Sequence, residues 1–144
     1  MRKILVCLIL SLMLIPQAYA ELKKFDRVSV NVPNDWSAEQ KDESVILKSS
    51  NAEAFVEIFI AKLNDELLSD VVEKLYIERE GVDLEQDDDG DYSFSFKNSS
   101  GSESIALITG TDDYYLLVSM AGFEDETVQK DLETILESID WDNK

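Results

Sequence analysis

YSFSFKNSSGSESIALITGTDDYYLLVSM, residues 92–120, decides the fold. Tyr92, Phe94 and Phe96 alternate with Ser93 and Ser95, the period-two pattern of a strand with one covered face. Asn98-Ser99-Ser100-Gly101 and Gly110-Thr111-Asp112-Asp113 are turn chemistry, and they set off two further strands, Ser104 to Thr109 and Tyr114 to Met120. Strands joined by so few residues pair antiparallel, because a parallel return needs a long crossover. Ile105 to Ile108 and Tyr114 to Val118 carry apolar side chains on both faces, so the sheet must be covered from both sides there.

Working outward, Val82 to Gln86 and the turn Asp87-Asp88-Asp89-Gly90 place one more strand before Tyr92. Upstream, Leu68, Val71, Val72, Leu75 and Tyr76 recur at helical spacing. Ser69 is the best N-cap for that helix, with Asp65 able to start an earlier turn, and Gly81 stands where a left-handed C-terminal cap belongs. Phe25 to Val32, a short run near Trp36 to Glu39, Ser44 to Lys48 and Ala54 to Ala61 read as strands, while Glu21 to Lys24 reads as a polar leader to them. Downstream, Val128, Leu132, Ile135, Leu136 and Ile139 form a continuous apolar stripe on a second helix. Glu124, Asp125 and Glu126 crowd its start, where the helix dipole favours negative charge. The expected architecture is α+β: an antiparallel sheet of six or seven strands with two amphipathic helices packed on it. One helix per face is the economical arrangement, and both on one face is the alternative.

The chain has 144 residues, 13 Lys and Arg against 31 Asp and Glu, and a formal net charge of -18. It has no His, which removes Ser-His-Asp and Cys-His nucleophile pairs and the two-histidine zinc helix. Nucleic acid is excluded as a partner, since neutralising phosphates takes clustered Lys and Arg. Paired carboxylates can do acid–base chemistry, but in so acidic a chain any pair can be picked out, so none marks an active site. No catalytic residue and no cofactor is expected.

Residues 1–20 read as a secretory leader. Arg2 and Lys3 precede the apolar stretch Ile4 to Ile15, and Ala18-Tyr19-Ala20 gives an A-x-A cleavage pattern. A retained membrane helix is the alternative, but the apolar stretch falls short of the roughly 20 residues a bilayer requires. Cleavage after Ala20 leaves residues 21–144 as a single α+β domain, periplasmic or secreted, without stable membrane insertion. Losing Arg2 and Lys3 takes the net charge from -18 to -20, and Cys7, the one cysteine, leaves with them.

Val30-Asn31-Val32-Pro33-Asn34-Asp35-Trp36 resembles the strand–Pro–x–x–Trp opening of the PsbP-like and DcrB-like exported proteins. Leu132-Glu133-Thr134-Ile135-Leu136-Glu137-Ser138-Ile139 is similar to their terminal helix, and Asp91 to Phe96 to their middle hairpin. The similarity spans nearly the whole of residues 21–144, by pattern and order of elements. It implies that fold and a non-catalytic binding or accessory character, and it carries over no functional residue.

Among local motifs, Glu85, Asp87, Asp89 and Asp91 around Gly90 invite comparison with a calcium loop, whose alternate oxygens wrap the cation. Phe96 stands where the loop's bidentate Glu belongs, and Asp-Gly between strands is itself hairpin chemistry. Asp87, Asp89 and Asp91 are therefore weak metal candidates. The expected reading of Tyr92, Phe94 and Phe96 is core filling, with one of Tyr114 and Tyr115 on the less buried face. Trp36 and Trp141 are expected to pack in the core or at its rim. Asn98-Ser99-Ser100 matches a glycosylation sequon, which matters only in a eukaryotic secretory pathway. The function expected is that of a small exported, non-catalytic binding or accessory protein. Its partner would be another protein or an envelope component, and a basic one if the acidity serves more than solubility. A calcium-responsive module built on Asp87 to Asp91 is the alternative.

Overall fold

A computed structural model describes residues 20–50 and 53–142. The leader reading of residues 1–20 lies outside them except for Ala20, the first residue of β1. Seven strands form the main antiparallel sheet: β3 (Trp36–Lys41), β4 (Ser44–Ser49), β5 (Phe55–Lys62), β6 (Val82–Gln86), β7 (Tyr92–Lys97), β8 (Glu103–Gly110) and β9 (Tyr114–Ala121). Their spatial order is β3-β4-β5-β9-β8-β7-β6, so β9 sits at the centre, paired to β5 on one side and β8 on the other. A smaller sheet joins β1 (Ala20–Lys24), β2 (Val28–Pro33) and β10 (Asp140–Trp141), with β2 in the middle. Among the described residues the helices are α1 (Leu68–Glu78) and α2 (Glu126–Ser138).

The main sheet's two faces are covered differently. Val56, Ile58 and Ile60 of β5 and Leu116, Val118 and Met120 of β9 point to the first face. There they meet Val128, Leu132 and Ile135 of α2 and Val28, Val30 and Val32 of β2. On the second face Ala106, Ile108, Leu117, Phe94 and Phe96 pack against Val72 of α1, with Leu68, Leu75 and Tyr76 half-buried around it. One helix thus covers each face, and the alternative of both on one face does not occur. Each Val, Leu or Ile side chain fully buried contributes roughly 1.5–3 kcal/mol, so the first face, with the longer buried stripe, holds most of the core's stabilisation.

Several local expectations are corrected. Glu21 to Lys24 is no leader but most of β1, which pairs with β2 from Ala20 opposite Pro33 to Lys24 opposite Ser29. Its side chains are largely exposed, so main-chain bonding rather than apolar patterning makes the strand. The run read from Phe25 starts as a strand only at Val28, because the Phe25 N–H donates to the Val28 carbonyl in a turn. Ser69 does not cap α1. Leu67 occupies the N-cap with no side-chain bond, and its carbonyl takes the Asp70 and Val71 N–H groups. Docking of Leu68 against Gly110 sets where the helix begins, ahead of capping preference. Lys74 and Glu66 form an ion pair across that first turn.

At the other end of α1 the left-handed residue is Glu80, with φ 52°, and not Gly81. The Glu80 N–H bonds Ile77 O at 3.1 Å and the Gly81 N–H bonds Tyr76 O at 2.8 Å, a Schellman closure one residue earlier than the glycine suggests. Gly81 is required for space: a Cβ there would lie 2.5 Å from the Tyr76 ring and 2.8 Å from the Phe94 ring. Those rings form an edge-to-face pair with centroids 5.4 Å apart, so neither yields freely. The Gly81→Ala protein should lose about 1–3 kcal/mol in denaturant unfolding, and a loss near zero would show that the ring pair gives way.

The stripe of α2 forms as expected, and Asp125 is its N-cap. The Asp125 carboxylate accepts the Thr127 N–H at 2.9 Å and the Thr127 hydroxyl at 2.7 Å, and these bonds hold its carboxyl below the usual carboxylate range. The helix stops where the Ser138 hydroxyl donates to Ile135 O and accepts the Asn31 N–H, which ties its end to β2. Because the folded-state pKa of Asp125 is depressed, the cap stabilises above the unfolded-state pKa and is lost as pH falls through the folded one. Asp125→Asn should therefore melt lower than wild type at neutral pH, and the gap should close as acid protonates the Asp125 carboxyl in the folded protein.

Candidate functional site

Coverage of the first face stops short over its β7–β8 half. The last turn of α2 and β10 form one wall there, through Leu136, Ile139 and Trp141. Leu107 of β8 with Leu116 and Val118 of β9 form the floor, and Ser93 of β7 continues it outward. The far rim is the β6–β7 hairpin, with Glu85, Asp87 and Asp91. The cleft measures about 430 Å³, and among the described residues no Lys or Arg lines it. An apolar floor under a rim of one charge sign is the ordinary form of a recognition site, in which the floor supplies affinity and the rim orientation.

A second cleft of about 430 Å³ is lined by Val28, which pairs with Trp141, and by Val45, Ile58 and Tyr114. Its charges compensate one another: Asp26, Asp42 and Glu43 share the rim with Arg27 and Lys62. The Arg27 guanidinium lies 4.0 Å from the Tyr114 ring centroid and donates to the Asp142 carbonyl at 2.9 Å, so it serves to fasten the chain near residue 142. On the second face, Arg79 bonds the buried Ser119 hydroxyl at 2.8 Å and stacks 5.0 Å from the Phe96 ring centroid. Burial also raises the Tyr115 hydroxyl above its ordinary pKa.

The weak metal candidates are put to structural use. Asp87 Oδ1 accepts the N–H groups of Asp89 at 3.0 Å and Asp91 at 2.9 Å, while the Asp87 N–H bonds Asp91 O. Gly90, at φ 88°, completes the turn, and Asp89 enters this network through its main-chain N–H. Among the described residues no three His, Cys, Asp or Glu side chains are grouped to hold a metal ion. Asp87 and Asp91 reach the cleft rim instead, whereas Asp89 does not line it.

Phe94 and Phe96 are buried in the second-face core, and Tyr92 is half-buried at its edge. Tyr114 and Tyr115 take opposite faces. Trp36 is buried and its indole N–H donates to Asp131 of α2 at 3.0 Å, whereas Trp141 is half-buried as a wall of the cleft. Leu136, Ile139 and Ser93 were not singled out as site residues. The available signal was an apolar stripe that runs past the end of α2 to Ile139 and Trp141.

Removing the Asp87 carboxylate in Asp87→Ala should cost about 1 kcal/mol of unfolding free energy, with or without millimolar calcium. Asp89→Ala should stay close to wild type under both conditions. A calcium-dependent rise in the wild-type melting point that Asp89→Ala abolishes would make the turn a cation site.

Comparison with known proteins finds no matching family model and no matching curated protein. Among solved structures, the chain is similar to cyanobacterial PsbP (CyanoP) from Synechocystis sp. PCC 6803, with a TM-score of 0.62 at 14% identity over 89% of this chain and 95% of that one. It is also similar to a crystal structure from Bacteroides thetaiotaomicron VPI-5482, with a TM-score of 0.54 at 17% identity over 89% of this chain and 50% of that one. This chain thus spans half the length of the Bacteroides protein. At these identities the likeness is one of fold: the α+β arrangement of two helices on antiparallel sheets is PsbP-like.

Proposed function

We propose that the chain is a small, non-catalytic binding or accessory protein that acts after export. In this reading residues 1–20 are removed as a leader and residues 21–144 fold as a single domain. It works in the periplasm or after secretion by engaging another protein or an envelope component. The acid-rimmed apolar cleft carries the reading: Leu107, Val118, Leu136 and Trp141 supply apolar contact, and Glu85, Asp87 and Asp91 supply a single sign of charge around it. The accessory character that the PsbP-like resemblance implies points the same way. Among the described residues no helix is long and apolar enough to cross a membrane.

A photo-crosslinking amino acid at Gln86, on the cleft rim, should capture a discrete envelope protein in the native cell. The same residue at Glu73, exposed on the outer side of α1, should not. Equal capture from both positions, or capture of cytosolic proteins alone, would overturn the reading.

A further inference from the structure

The occupant of the cleft can be narrowed by what its walls attract and repel. The carboxylates of Glu85, Asp87 and Asp91 stand on the side away from Trp141, so a ligand seated on the floor meets negative charge along one flank. With the whole chain at -18, anionic lipid and nucleic acid are repelled over a longer range. A second copy laid face to face would bring two such rims together. The flank is also elongated. Val82, 54% exposed, stands opposite Ser95 on the face that holds Ser93, and Glu85 stands opposite Ser93. Because of a bulge, Val82 to Glu85 runs alongside only Ser95 to Ser93, roughly 7 Å at the strand rise, the length of about two residues of an extended segment.

The edge itself resists strand addition. Opposite Phe94 it carries two residues, Asp83 and Leu84, with Asp83 at φ 56°, a bulge that breaks the regular ladder. Side chains seated in the cleft, rather than a continued sheet, must therefore supply the affinity.

Resting on the function proposed above, we propose that the cleft receives an extended basic segment of a protein partner. One apolar side chain of the segment seats on Leu107 and Val118 beside Trp141, and Lys or Arg residues next to it pair with Glu85 and Asp91, while Asp87 adds its charge to the same rim. Each carboxylate is near water, so the charges set orientation and approach rate while the floor sets residence time.

The test uses the peptide Lys-Phe-Lys-Leu-Lys, blocked at both ends, and the indole emission of Trp141. Trp36 is buried and bonded to Asp131, so a shift in emission reports the cleft. The peptide should bind and shift the emission, and Glu85→Lys should weaken binding by about tenfold, an effect that shrinks at high salt. Glu73→Lys makes the same change in net charge on α1 and should stay within about twofold of wild type. Glu-Phe-Glu-Leu-Glu and Lys-Ser-Lys-Ser-Lys should each fail to shift the emission.

Equal weakening by the two variants would show attraction to net charge alone and overturn the proposal, as would equal binding of the acidic peptide. An emission shift caused by zwitterionic phosphatidylcholine vesicles, or self-association that Glu85→Lys alters in sedimentation, would assign the cleft to lipid or to a second copy and overturn it too. Crosslinking from Gln86 to an envelope protein without any peptide binding would sink the basic occupant and leave the accessory reading standing.

Discussion

Strand β9 has no solvent face. Leu116, Val118 and Met120 on one side and Leu117 and Ser119 on the other are all buried, so water must be kept off both surfaces of the sheet's centre. An antiparallel sheet can ordinarily leave one face wet, and this one cannot. The rest of the architecture answers that requirement. Helix α1 closes the second face through Val72 and its neighbours, and α2 with the small sheet closes the first. Even the polar group that β9 buries is matched, since Arg79 reaches over from the end of α1 to Ser119.

The cleft follows from how the first face is closed. Two short elements, α2 and the β1-β2-β10 sheet, cover the β3-β4-β5-β9 half and give out where Ile139 and Trp141 leave the helix. The outer strands then face a gap, and their sequence is suited to it. Ser93 and Ser95 replace apolar residues on that side of β7, while Phe94 and Phe96 keep the other side dry. The hairpin beyond spends one carboxylate, Asp87, on its own main chain and presents Glu85 and Asp91 around it.

Most of the fold was legible because its strongest signals are periodic. The alternation in Tyr92 to Phe96, the two-faced apolar runs of β8 and β9 and the stripe from Val128 to Ile139 each state a local geometry and a burial demand together. What escaped was set by tertiary contact. The residues of β1 become a strand only because β2 offers them a partner, and β10 is two residues long. Ser69 lost the cap to Leu67 because Leu68 had to reach Gly110, and Gly81 was placed by two rings rather than by its own backbone freedom. The site was less legible still. Its acidic rim stood out in the sequence as a calcium-like loop, but the floor and wall draw their residues from β8, β9, the end of α2 and β10, and no local pattern marks them as neighbours.

The small sheet has a mechanical side. Strands β1 and β10 both run antiparallel to β2, and therefore parallel to each other, on its two edges. Tension drawn out through the start of β1 and the Trp141 end of β10 pulls along the strands in opposite directions. The bonds to β2 are then loaded together in shear instead of being peeled one at a time. Shear alone would be thin across a strand as short as β10, but the Asp142 N–H donates to Arg27 O at 2.7 Å and the Arg27 guanidinium returns a bond to Asp142 O. Stretched from these two strands, the domain resists as a clasp does, with Arg27, stacked on Tyr114, as its catch.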